Sequence, residues 1–295
     1  MHKVSLPGVY RLIRPENGLP LVFDSPHSGM LYPADFDYAC AFDHLEKAED
    51  RYVDQLFADA PDYGAAFLAA DFPRSYIDVN RCVTDIDQEI LEEQWPEVLN
   101  PSQRSQAGIG LVRRLVRPGM PVYNRALTVA QIRSRIDNFY APYHAALETL
   151  INDAYETHGQ VWHVNCHSMP PQSSFAGQPG LFRAYPAKNP DFVLGDRDGT
   201  TCSLDFTHAL RDHLRHQGYS VAVNDPYKGV ELVYRYSDPA AGKHSIQIEV
   251  CKSLYLEEDL VTKSNGFNEM KADIDTLIKF CADYVRAQDV PLAAD

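Results

Sequence analysis

Two hydrophobic rhythms alternate along this chain. Short apolar runs bounded by turn residues occupy 20–24, 65–70, 75–79, 161–166, 220–224 and 246–251, and they predict buried strands. Between them the apolar period lengthens to that of a helix. In "DHLEKAEDRYVDQLFADA" (43–60), Leu45, Ala48, Tyr52, Leu56 and Phe57 share one face, and Asp43 with Glu46 predicts an N-cap pair. The stretch 128–159 opens on Thr128 and Gln131 at capping-box spacing and carries Ile132, Ile136, Phe139, Tyr140, Tyr143, Leu147 and Leu150 to a stop at Gly159. Pro142 predicts a kink within it. Residues 201–217 and 264–286 complete the helical set. Strands alternating with helices predict an α/β fold, a mostly parallel mixed sheet covered by helices on both faces, formed as one domain over 1–295. The segment 84–125 has no clear period and reads as a long insertion near a site.

The bulk properties narrow the function classes. A chain of 295 residues can bury one large core, and 45% hydrophobic with 23% charged residues is ordinary for a globular protein. A formal net charge of −14 argues against nucleic acid or an anionic membrane as a general partner. The N-terminal "MHKVSLPGVYRL" has no apolar leader core, and no stretch nears the roughly 18 apolar residues of a membrane span, so cytoplasmic residence is expected. Six scattered cysteines without a CxxC pair predict reduced, mostly buried thiols.

In a parallel sheet the ligand site lies at the carboxyl ends of the strands, so residues arriving there matter most. "LPLVFDSPHSG" carries His27 off the first predicted strand, and "VNCHSMP" carries His167 off another. The two segments, PHSG and CHSM, echo each other. "HSIQIEVCK" puts Glu249 inside apolar sequence with Gln247 on the same face, and a buried carboxylate is costly unless paired or metal-linked. "YIDVNRC" brings Asp78, Asn80 and Arg81 to the end of the predicted 75–79 strand.

Two histidines and a carboxylate from another element are the usual protein ligands of a catalytic zinc. Helix 43–60 offers Glu46, Glu49, Asp50 and Asp54 for the carboxylate, most of which belong to a solvated acidic face. Zinc activates water at neutral pH and polarises a carbonyl. Glu249 suits the proton transfer that follows. The Arg81 guanidinium suits a two-pronged grip on a substrate carboxylate, with Asn80 assisting. The constellation reads as hydrolysis of an amide on an acidic small molecule.

Eight segments in order, "SPHSG", "AEDRYVDQLF", "RSYIDVNR", "YAPYHAAL", "CHSMP", "PDFVLGDRDGTTC", "NDPYKG" and "IQIEVCKSLYLEE", resemble the N-formylglutamate amidohydrolase (N-formylglutamate deformylase) family, from about residue 20 to about 260. The resemblance implies a phosphorylase/hydrolase-like fold shared with zinc carboxypeptidases and the aspartoacylase group, and one divalent metal, normally zinc. It implies His27, Asp50 (in preference to Glu49) and His167 as metal ligands, Glu249 as general base, and Asn80 with Arg81 on a substrate carboxylate. The implied reaction is hydrolysis of N-formyl-L-glutamate to glutamate and formate, a late step of one histidine-degradation route. Arg74 and Arg125 are further candidates for a second substrate carboxylate, with ion pairing as the competing role for each.

Two departures stand out. The carboxypeptidase spacing, an acid three residues after the first histidine, is broken by Met30, so the third ligand must come from the helix. Many relatives also carry aspartate two residues before the second histidine, where this chain has Asn165, which can accept a hydrogen bond but supplies no charge. The competing readings are an amidohydrolase of other N-acyl amino acids, a metal- or ligand-binding protein without turnover, and a hydrolase using Ser28, Ser168 or Cys166 as nucleophile, which lacks a GxSxG elbow. The loop "LGDRDGTTC" (194–202) reads either as a cover over the site or as a tight connection.

Overall fold

The structure, a computed structural model, describes residues 1–171 and 190–288. Among the described residues ten strands form: β1 His2–Leu6, β2 Tyr10–Arg14, β3 Leu21–Ser25, β4 Ala66–Ala70, β5 Leu115–Arg117, β6 Met120–Pro121, β7 Val161–Met169, β8 Phe192–Gly195, β9 Val221–Val223 and β10 Lys243–Cys251. Eight belong to one sheet in the order β1-β2-β4-β3-β7-β10-β8-β9, while β5 and β6 make a separate hairpin. β4, β3, β7 and β10 run parallel side by side, and four of the seven pairings in the sheet are parallel. The helices are α1 Phe42–Ala48, α2 Val53–Leu56, α3 Gln103–Gln106, α4 Val129–Arg135, α5 Ala141–His158, α6 Leu204–His216, α7 Glu231–Arg235 and α8 Phe267–Gln288. The expected mixed, mostly parallel sheet with helices on both faces is what forms. Among the described residues no helix is long and apolar enough to cross a membrane.

Alternation along the central strands sorts the two faces. Leu21 and Phe23 of β3, Trp162, Val164 and Cys166 of β7, and Ile246, Ile248 and Val250 of β10 pack against α2, α6 and α8. Val22 of β3 and Leu68 of β4 point the other way, into a second core with Ile132 of α4 and Tyr143, Leu147 and Ile151 of α5. On that second face the central strands carry polar residues that are nonetheless buried: Asp24, then His163, Asn165 and His167, then Ser245, Gln247 and Glu249. Register aligns them, with Asn165 beside Asp24 and Gln247, and His167 beside Glu249. A polar stripe therefore runs up the middle of the sheet and ends at the carboxyl ends of β3, β7 and β10.

Three expectations about elements change. Residues 75–79 form no strand; Tyr76, Ile77 and Val79 are buried, but the run crosses as turns, with Asp78 N–H donating to Leu111 O at 2.8 Å. An apolar run buried beneath an irregular segment has the same pattern as a buried strand. The predicted helix 43–60 is two short helices broken at Glu49–Tyr52: Asp50 N–H donates to His27 O (3.0 Å), and Tyr52 takes a left-handed φ of 62°. The predicted N-cap pair also fails, since Ala41 is the cap and Asp43 pairs with Lys47. The outer strands β1 and β2 went unpredicted because β1 is wholly exposed and β2 only half-buried, which erases the apolar signal. The 128–159 helix does start at the Thr128–Gln131 capping box and stop at Gly159. Pro142 falls in the first turn of α5, where its missing N–H is tolerated, directly after a π-helical turn at Ile136–Tyr140 in which Ala141 N–H donates to Ile136 O.

Candidate functional site

The PHSG turn is built to fix one imidazole. Ser28 Oγ donates to Asp50 O (3.0 Å), accepts from Asp54 N–H (3.1 Å) and lies 2.5 Å from Ser25 Oγ, so it ties the end of β3 to the break between α1 and α2. Gly29 passes so close to the 71–72 backbone that a Cβ would sit 2.3 Å from Phe72 O. Lys252 Nζ, at the end of β10, donates to the carbonyls of Lys47 and Glu49 and holds the same break from the other side. Asp50 is thereby turned inward. Glu49 is turned away, its carboxylate taken by Tyr32 and Arg51.

The result is a convergence of acceptors. Asp50 Oδ2 lies 3.3 Å from His27 Nδ1 and 3.0 Å from His167 Nδ1, and all three residues are buried. The far nitrogen of each ring has its own partner: His27 Nε2 faces Asp78 Oδ1 at 2.7 Å, and His167 Nε2 faces Asn165 Oδ1 at 2.6 Å. In each ring the Nε2 contact is shorter than the Nδ1 contact to Asp50, so the favoured tautomer carries its proton on Nε2 and turns the Nδ1 lone pair toward Asp50 Oδ2. Among the described residues His27 Nδ1 has no hydrogen-bond partner. Two lone pairs and a carboxylate oxygen within 4.8 Å of one another repel unless something positive lies among them, so these residues fit a divalent cation. Burial alone would raise the Asp50 carboxyl, but the nearby Arg74 guanidinium leads the effects that hold it well below the usual range.

Behind the two rings stand the partners that orient them. Asp78 also accepts from Arg74, with Nη2 at 3.0 Å. Asn165 donates its Nδ2 to Asp24 Oδ1 at 2.7 Å, and Asp24 accepts further bonds from His163 Nε2 (2.9 Å) and Tyr143 Oη (2.8 Å). The charge that Asn165 lacks is thus one residue farther back, on Asp24 at the end of "LVFD". Burial would raise the Asp24 carboxyl, and the bonds to His163, Asn165 and Tyr143 more than offset it, lowering it. Asp24→Ala strands these donors in a dry core, and its expected cost is about 3–5 kcal/mol of stability. Chemical denaturation measures this, and a loss below about 1 kcal/mol would mean the network contributes little.

Glu249 stands across the β7–β10 pairing from His167, and Gln247 Nε2 donates to its Oε1 at 2.7 Å. Burial pushes the Glu249 carboxyl up to about 7, with Asp50 adding to the rise and His167 opposing it. His27, Asp50, His167 and Glu249 all line one cavity of about 1060 Å³. The segment 84–125 supplies eleven of its thirty-five lining residues. Nine of the lining residues are Lys or Arg and four are Asp or Glu, so the cavity is cationic inside an acidic protein.

The other predicted residues divide. Arg81 is buried and lines the cavity; its Nη1 donates to Asn80 O (2.8 Å), and among the described residues its Nη2 has no partner. Asn80 spends Oδ1 on Leu232 N–H (3.0 Å), and its Nδ2 lies 3.2 Å from His167 Nε2, which leaves Arg81 the stronger carboxylate candidate of the pair. Arg74 lines the cavity but is already matched by Asp78 and by Asp50 (3.5 Å), so it is a poor seat for a second carboxylate. Arg125 is an outright correction: it is exposed, outside the cavity lining, and paired with Asp37 and Gln131. Of the proposed nucleophiles, Ser28 is spent on the turn, and Cys166 faces the opposite core with its thiol pushed up by burial. The 194–202 loop is a tight connection, its Asp196 accepting from Gly199 N–H, Thr207 Oγ1 and Asn224 Nδ2, although Arg197 reaches the cavity. Sequence reasoning missed Arg113, a buried residue of the irregular segment that lines the cavity.

Comparison with known proteins adds an independent line. A solved structure, an N-formylglutamate amidohydrolase from Ralstonia eutropha JMP134, is 44% identical and superposes with a TM-score of 0.90 over 95% of this chain and 99% of its own. An N-formylglutamate deformylase of Pseudomonas putida is 29% identical over 244 residues, 81% of this chain and 83% of that protein. A structure from Agrobacterium tumefaciens, at 16% identity and a TM-score of 0.65, shares the fold. The family model described as N-formylglutamate amidohydrolase matches residues 19–256, a span that opens just before the PHSG strand and closes just after Glu249 and Lys252. With most of the chain matched in one stretch that holds every residue of the convergent centre, this protein is a member of the N-formylglutamate amidohydrolase family.

Proposed function

We propose that this chain is a zinc-dependent amidohydrolase that cleaves N-formyl-L-glutamate to L-glutamate and formate, working as a single unit in which segment 84–125 walls the active site. The observation that carries this reading is the convergence of His27 Nδ1, His167 Nδ1 and Asp50 Oδ2, with Glu249 beside them, at the floor of a cationic cavity. The names of the relatives supply the substrate, and the cationic lining suits its two carboxylates. On this reading the reaction serves a histidine-degradation route.

His27, Asp50 and His167 would hold the cation. When bound, it supplies Lewis acidity, polarising the formyl carbonyl and readying a water for attack at neutral pH. Glu249 takes a proton from the attacking water and delivers it to the departing amine nitrogen, so that the C–N bond breaks to leave formate and the free amino acid. Its raised acidity range suits a group that must both accept and return a proton. Asp78, and Asp24 through Asn165, keep the two rings in the tautomer that faces the centre. Arg81 holds a substrate carboxylate and so places the formamide.

Metal analysis of the purified protein combined with a substrate panel tests this. About one zinc per chain is expected, with activity lost to a chelator and restored by zinc. N-formylglutamate should be preferred over N-acetylglutamate and over neutral N-formyl amino acids. Undiminished turnover after complete metal removal would sink the mechanism.

A further inference from the structure

A substrate with two carboxylates needs two cationic seats, and the residues expected for the second one do not provide it. Arg125 is outside the cavity and Arg74 is matched by two aspartates. Arg113 has the opposite character. It is 7% exposed, it lines the cavity, and among the described residues its guanidinium has neither a hydrogen bond nor an ion pair. Its Nε is buried without a partner. A buried, unmatched guanidinium is destabilising in the empty protein, so it is expected only where a ligand completes it. Arg81, with its own unpartnered Nη2, lines the same cavity.

Both arginines are also held on rigid backbone. Leu111 N–H donates to Asp85 O and Asp78 N–H donates to Leu111 O, each at 2.8 Å, locking the turn that carries Arg113 onto the segment that carries Arg81. Gly110 makes this approach possible, since a Cβ there would lie 2.4 Å from Ser105 Oγ and 2.6 Å from Asp85 O. Arg114, next in the chain, anchors outward on Asp87 at 2.7 Å. Arg81 O in turn accepts from Tyr140 Oη at 3.0 Å. Two buried arginines carried on backbone fixed before the ligand arrives lose less freedom on binding than exposed, mobile ones would.

We infer that Arg113 is a specificity-determining residue: with Arg81 it forms a pair of seats for the two carboxylates of one dicarboxylate substrate, one arginine to each. Burial, with neighbouring Arg74 adding to it, pushes the Arg113 guanidinium down to about 9 against the opposing pull of Asp78 and Asp50. The inference rests on the amidohydrolase reading for the identity of the substrate but not for the existence of the two seats.

The test compares wild type, Arg113→Gln and Arg81→Gln on N-formyl-L-glutamate and on its two monoamides, N-formyl-L-glutamine and N-formyl-L-isoglutamine. For Arg113→Gln, kcat/KM on N-formylglutamate should fall about 10–100-fold, mainly through KM, the scale of a lost charge-assisted bond. The monoamide that already lacks the carboxylate held by Arg113 should be turned over at close to the wild-type rate. Arg81→Gln should spare the other monoamide instead. Equal losses on all three substrates would overturn the assignment. Without ligand, Arg113→Gln should melt about 2 °C higher, because an unmatched charge has been removed, whereas a structural arginine would give a lower Tm. Independent of turnover, glutarate should raise the Tm of wild type more than butyrate does, and this difference should vanish in Arg113→Gln. If glutarate protects wild type no better than butyrate, the two seats do not exist. If it does so while no N-formyl compound is hydrolysed, the dicarboxylate site stands and the proposed reaction falls.

Discussion

Glu249→Gln should keep the fold and the bound cation yet lower kcat on N-formylglutamate by about 10²–10⁴-fold, the range associated with loss of a general base. The substitution is nearly isosteric, and its amide oxygen can still accept the 2.7 Å bond from Gln247 Nε2. Position is therefore preserved and only proton transfer is lost. Glu249 is not one of the three converging ligand groups, so metal content should match wild type. Steady-state kinetics beside elemental analysis separates the two effects. A kcat within a fewfold of wild type would remove Glu249 from the chemistry, and a variant stripped of metal would recast it as a ligand.

Asp50→Ala should all but abolish both metal retention and activity, while the neighbouring Glu49→Gln should keep the metal. The adjacent carboxylates are equivalent in the sequence and opposed in space. Asp50 Oδ2 sits between the two Nδ1 atoms, whereas Glu49 is engaged by Tyr32 and Arg51. Loss of an outer partner of a metal ligand typically weakens binding about 10–100-fold, and removal of a ligand itself should exceed that. Competition with a chromophoric chelator gives both affinities. The assignment fails if the two variants exchange their behaviour, or if Asp50→Ala retains zinc at wild-type affinity.

The sequence made the site's vocabulary legible because chemistry at strand ends leaves a local mark. PHSG and CHSM each set a histidine just past an apolar run, and Glu249 stood out as a charge inside one. These are two- to five-residue signals, set by alternation and turn chemistry. The supporting residues left no such mark. Asp24 looks like an ordinary turn residue at the end of "LVFD", and only pairing of β3 with β7 places it behind Asn165. Arg113 lies in "GLVRRLV" within an aperiodic segment, where neither period could say which arginine faces inward. Arg125, twelve residues on, is the arginine that the sequence reading singled out instead, and it is exposed. Likewise the break at Glu49–Tyr52 is invisible in a sequence with good helical periodicity, because it is enforced by His27 O, Ser28 Oγ and Lys252 Nζ from elsewhere in the chain.

The chain's own pattern of side chains was enough to mark β3, β4, β7, β9 and β10, the long helices between them, and the arrival of two imidazoles and a carboxylate at strand ends, though it missed the buried β8. Those features follow from solvent aversion and backbone geometry, which act over a few neighbouring residues. Which carboxylate turns toward the imidazoles, which nitrogen of each ring is left bare, and which arginine stays unmatched were settled mainly by contacts between segments far apart in the chain, up to 205 residues for Lys252 and Lys47. Such contacts depend on desolvation and hydrogen-bond completion in three dimensions, and a buried polar atom is satisfied or orphaned only once its distant neighbours are in place.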